Sequence, residues 1–132
     1  MRSIPSRAAD REQGSAAVEF VLVGTLVVLI GLAVLQLVLA LHVRNTLMSS
    51  AYEGARHGAR ADRTLADGVA RSEEMARAAL VEREILATAT RSSEDGAEGV
   101  VVSIEAAVPL VGLWGPGTMR VEARAFDEAG RG

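Results

Sequence analysis

One carboxylate stands apart by its surroundings. Glu19 is the only ionisable side chain between Gly14 and Leu41, with Val18 before it and Phe20 after it. An acid at the centre of a bilayer costs about 2.5–3.5 kcal/mol on insertion scales, and less toward the interface. A carboxylate so placed needs compensation: the positive end of a helix, lipid headgroups, or a cation brought alongside in a dry contact. The other chemically capable groups are spread more evenly. Glu73-Glu74 falls on an expected helix face and Glu94-Asp95 in an expected loop, where solvated charge accounts for both pairs. His42 and His57 are too few for most catalytic metal cages, and spacing sets no serine or cysteine partner for either. There is no phosphate loop, no Gly-x-Ser-x-Gly elbow and no His-Glu-x-x-His. The residues point away from an enzyme, and neither metal ligands nor a cofactor are expected.

Composition narrows the classes further. A length of 132 residues allows one small domain, or a short segment plus one small domain. A net charge of −3 and a pI near 5.4 argue against a nucleic-acid partner. The absence of cysteine excludes a disulfide scaffold, a haem-attachment motif and a cysteine-based zinc site. All the basic residues are arginine. The hydrophobic share, 49%, is ordinary for a globular chain, but it is concentrated. Residues 20–41 carry no charge.

That run must position Glu19. As a helix it is roughly 33 Å long, against a hydrocarbon core of about 30 Å. Gly24, Gly31, Thr25 and Gln36 are tolerable in a spanning helix. Two alternatives stand beside a membrane span. The run is the buried helix of a soluble domain, or it is a cleaved secretory signal with Val38 and Ala40 as a small-x-small site. Arg2, Arg7 and Arg11 precede the run, and Arg44 and Arg56 follow it. Basic flanks favour the cytoplasmic side, which places the N-terminus inside and the C-terminal region outside the cytoplasm.

The stretch Gly14-Ser15-Ala16-Ala17-Val18-Glu19-Phe20 resembles the processing site of the type IV prepilin superfamily. The resemblance narrows to the TadE-like family of pilus-assembly pseudopilins. It is joined by a later stretch, Asn45-Thr46-Leu47 through Ala51-Tyr52-Glu53-Gly54-Ala55-Arg56, similar to that family's motif after the membrane segment. Tyr52 stands where the family usually has arginine or a similar residue. The resemblance implies a short leader ending at Gly14, cut by a membrane prepilin peptidase so that Ser15 becomes the new N-terminus. It implies assembly roles for Glu19 and Phe20, with the Glu19 carboxylate pairing with the free α-amino group of a neighbouring subunit. The implied partners are the lipid membrane, the peptidase, and other pilins, pseudopilins and membrane proteins of Flp-type (tight adherence) pilus assembly. No nucleic acid and no small-molecule substrate are expected.

Beyond the run the helix continues to about residue 61. Ser50, Gly54 and Gly58 recur every four residues, as do Ala51, Ala55 and Ala59. Small residues at that spacing allow close approach of a partner helix, from this chain or from another subunit. Glu53 and Arg56, at i and i+3, form a local surface ion pair by default. A break follows at Asp62-Arg63-Thr64, and Thr64 or Asp62 caps a second, amphipathic helix from Leu65 to about Thr90. Residues 91–99 read as a polar loop. Val100, Val102, Ile104, Ala106 and Val108 then alternate on one face of a strand, and Met119, Val121, Ala123 and Ala125 on another. Between them lies an apolar loop with Leu113 and Trp114, which either meets a partner or membrane or folds back into a small core.

The expected architecture is α+β. A leader (1–14) precedes a transmembrane and assembly helix (15–61, membrane core about 20–41). A small extracytoplasmic domain (62–132) follows, with one helix and a small antiparallel hairpin or sheet. The expected role is a membrane-anchored minor pseudopilin. The alternative is an uncut single-pass protein whose outer domain scaffolds a secretion complex or binds a ligand.

Overall fold

The computed structural model describes residues 7–81, 83–94, 96–108 and 117–127, with side chains from residue 14 onward. The elements run α1 (Arg7–Gly58), α2 (Leu65–Ala79), β1 (Ile85–Glu94), β2 (Ala97–Val108) and β3 (Gly117–Phe126). The class is α+β, as expected. Contacts divide the chain into two compact units, Met1–Leu37 and Val38–Gly132. The last roughly six turns of α1 thus group with the α+β unit.

In the first unit α1 begins at Arg7, not near Ser15 as expected. The alanine, arginine, glutamate and glutamine of residues 7–13 are strong helix formers, and Gly14 costs the helix only about 1 kcal/mol. From Phe20 to Leu41 every large apolar side chain is at least 48% exposed, and Phe20 reaches 80%. Among the described residues nothing covers this stretch, and the structure does not bury it in a core. It is long and apolar enough to cross a membrane.

In the second unit α1 turns one stripe inward. Val43, Leu47, Ala51, Ala55 and Ala59, four residues apart, are all buried. Thr64 ends the connection and caps α2 through a capping box with Asp67. The buried face of α2 is Gly68, Ser72 and Ala76, continued by Leu80, with Leu65 and Val69 packed at its margin.

Here the expectation needs correction. α2 stops at Ala79, well short of Thr90, because the 3.6-residue pattern stops there. From Ile85 the pattern has period two, with Ile85 and Ala87 buried and Leu86, Thr88 and Thr90 exposed. The β-branched residues among them favour a strand. The polar stretch 91–99 is not a loop either. β1 pairs with β2 from Ile85↔Ala106 down to Glu94↔Ala97, and Gly96 takes a φ of 81° in the tight turn between. Ser92, Ser93 and Glu94 are polar because they lie at the solvated end of a strand.

The sheet is antiparallel in the order β1-β2-β3. Val100, Val102, Ile104, Ala106 and Val108 all face inward and are buried, against Val121 and Ala125 from β3.

Candidate functional site

The groups singled out in the sequence fall in two places. The first is the N-terminal part of α1. Gly14, Ser15, Glu19 and Phe20 are all helical and exposed. A Cβ built on Gly14 would meet nothing within 4 Å. Ser15 and Glu19 are four residues apart, so their side chains lie on one face, about 5–6 Å between Cβ atoms. Among the described residues Glu19 has no hydrogen-bond or ion-pair partner. A helix begun at Ser15 would hold the carboxylate one turn from its own positive end, where the macrodipole favours an anion. Among the described residues nothing neutralises it further.

The second place is the small-residue stripe. Ser50, Gly54 and Gly58 are buried, and Gly54 and Gly58 lie against α2 of the same chain. A Cβ on Gly54 would lie 2.6 Å from the Ser72 Cβ and 2.7 Å from the Gly68 carbonyl oxygen. A Cβ on Gly68 would lie 2.8 Å from the Gly54 carbonyl oxygen. The helices therefore touch backbone to backbone, which only glycine permits. The two buried hydroxyls are satisfied locally: Ser50 donates to the Thr46 carbonyl at 2.9 Å and Ser72 to the Val69 carbonyl at 2.8 Å.

Other polar groups stabilise the second unit. The Asp67 carboxylate accepts from the Thr64 backbone N–H at 2.8 Å, which holds its pKa below the ordinary carboxylate value, helped by the Thr64 hydroxyl. On the outer face of the sheet the Ser103 hydroxyl donates to Glu122 at 2.9 Å, and Arg120 bonds both. The Ser103 bond, then Arg120, lowers the Glu122 pKa. Arg124 bonds Glu94 and Ser92 across the strands. The expected Glu53–Arg56 ion pair is absent among the described residues. Arg56 instead stacks over Tyr52, 5.9 Å from the ring centroid. A cation above a π face gains without desolvating a carboxylate.

His42 is exposed and His57 half-buried. No cluster of three or more histidine, aspartate or glutamate side chains able to hold a metal ion occurs among the described residues. Leu113 and Trp114 lie outside the described residues. Two tertiary contacts had no sequence signal. Glu73 of α2 accepts from the Ala87 N–H of β1 at 3.3 Å, and Arg83 donates to the Ala107 carbonyl at 2.9 Å. Strand β1 itself could have been found from the Ile-Leu-Ala-Thr-Ala-Thr alternation.

Comparison with known families matches residues 14–56 to the family described as TadE-like protein. The matched segment opens at Gly14 and closes at Arg56, the ends of the two motifs quoted above. No curated protein and no solved structure matches the chain.

Proposed function

We propose that this chain, a pilus-assembly-related protein by its TadE-like segment, works as a membrane-anchored minor pseudopilin of Flp-type pili. The single observation that carries this is Glu19. It is the one charge between Gly14 and Leu41, it lies five positions past Gly14, and no described residue of its own chain pairs with it. In a membrane such a carboxylate stabilises whatever brings it a cation. An α-amino group freed at Ser15 on a neighbouring subunit has the matching charge. Opposite charges compensate when held in good geometry out of water, so pairing favours assembly over an isolated helix.

Cleavage after Gly14 must act on a segment that is helical in the uncut chain. The helix has to open there first, and Gly14 weakens it at that point. Processing also removes the leader turns and leaves Ser15 at the new helix start. α1 then anchors the chain, and the outer unit meets the other pilus components.

Mass spectrometry of membrane extracts tests processing: the mature chain should begin at Ser15, and an intact leader in a peptidase-competent host refutes the cut. Glu19→Ala and Glu19→Gln should leave membrane insertion intact and reduce pilus incorporation. Normal incorporation of both variants rules out the assembly role.

A further inference from the structure

Strand β3 closes one side of the sheet, and among the described residues no strand pairs with its outer edge. The Asp127 N–H donates to the Glu98 carbonyl at 2.9 Å, in register with the Gly99↔Phe126 pair. Backbone groups alternate in direction along an antiparallel strand. Thr118, Arg120, Glu122, Arg124 and Phe126 therefore direct their N–H and C=O groups away from the sheet. Among the described residues these groups have no hydrogen-bond partner. Open edges are blunted by charged side chains, proline or bulges; β3 carries Arg120, Glu122 and Arg124 but no proline and no bulge. The opposite edge is treated differently, since Glu73 covers the Ala87 N–H of β1.

One end of the open edge borders a groove of about 360 Å³, walled by Tyr52, Arg56 and Arg60 on one side and by Arg124 and Phe126 of β3 on the other. Tyr52 and Phe126 are 51% and 61% exposed. Among the described residues neither Arg56 nor Arg60 has a carboxylate partner, whereas Arg124 pairs with Glu94. The groove is a local excess of positive charge on a chain of net charge −3.

We propose that this groove and the β3 edge bind an extended acidic segment of a partner protein by strand addition. The segment's backbone pairs with the outward groups of residues 120, 122, 124 and 126. Its carboxylates reach Arg56 and Arg60, and an apolar side chain rests against Tyr52 and Phe126. The occupant is acidic because the groove presents Arg56 and Arg60, neither of which has a carboxylate partner among the described residues. The inference does not depend on the roles given to Gly14 and Glu19, and its failure leaves them untouched.

The test uses the full chain in uncharged detergent micelles at low salt. The probe is a fluorescein-labelled peptide, Glu-Val-Glu-Val-Glu-Val-Glu, blocked at both ends. It should bind by anisotropy and slow amide exchange at residues 120, 122, 124 and 126. An analogue N-methylated at every residue keeps the charge but cannot donate to a strand edge, and should bind at least tenfold more weakly. The double variant Arg56→Gln, Arg60→Gln should weaken the parent peptide at least fivefold, with amide protection at residues 100–104 showing that it is folded. Arg44→Gln should change nothing. The proposal is overturned by no binding, by equal binding of the N-methylated analogue, or by full affinity in the double variant. It is also overturned if polygalacturonate binds as tightly as the peptide, or if the edge amides are already protected in a peptide-free dimer.

Discussion

Replacing Gly54 with alanine should destabilise the α+β unit, although helix propensity alone predicts the reverse. Within a helix, alanine is favoured over glycine by about 1 kcal/mol. At Gly54 the new Cβ would sit 2.6 Å from the Ser72 Cβ and 2.7 Å from the Gly68 carbonyl oxygen. Neither neighbour is the end of a flexible side chain, so α2 must shift as a body. Overpacking of this kind costs about 1–3 kcal/mol, sometimes more, and a contact on two near-rigid groups belongs in the upper part of that range. The balance is a net loss of about 1–2 kcal/mol. For a domain of this size that corresponds to about 5–15 °C in the unfolding midpoint. The matched control is Gly31→Ala, where the added Cβ meets nothing within 4 Å and the helix gain stands alone. The assay is amide exchange of β2 in the full chain in detergent as a function of temperature, since the apolar part of α1 stays helical in micelles and would mask a circular-dichroism melt. A Gly54→Ala chain as stable as wild type, or more stable, would refute backbone contact between α1 and α2.

Other expectations follow from the same packing. Leu47, fully buried on α1, should cost about 2–5 kcal/mol when cut to alanine, read as lost protection across the sheet. Gly99→Ala should also destabilise, because its Cβ would lie 2.8 Å from the Ala125 carbonyl oxygen and push β3 from β2; faster exchange in β3 is the readout. Asp67 has a folded pKa below its unfolded value, so its stabilisation is present above the unfolded value and lost as pH falls through the lowered folded value. Asp67→Asn should remove that acid-side step from a pH series of unfolding midpoints. Thr64→Ala should cost about 1 kcal/mol through the lost cap, with exchange rising first in α2.

Much of the fold was legible because its signals are local. The inward residues of β2 alternate from Val100 to Val108, and that period is readable without knowing what lies beneath. The break at Asp62-Arg63-Thr64 marks a helix start in the chain itself, with Thr64 or Asp62 as its cap, and the structure assigns the cap to Thr64. β1 was harder. Its second half is polar because it is solvated at the end of the sheet, and a polar strand end looks like a loop until its partner is known. The small residues at 50, 54 and 58 announced close packing but not the partner. Only the fold brought Gly68 to Gly54 and made the contact internal.

The sequence alone determined the apolar helix, the single acid at its head and the TadE-like character of residues 14–56, since each depends on residue order and hydropathy along one continuous stretch. The tertiary structure decided the third strand, the glycine seam between α1 and α2, and the groove where Tyr52, Arg56 and Arg60 face Arg124 and Phe126. Those residues are far apart in the chain, and the strand pairing that joins them is non-local. Which edge stays open depends on where the last strand stops, and no local pattern encodes that.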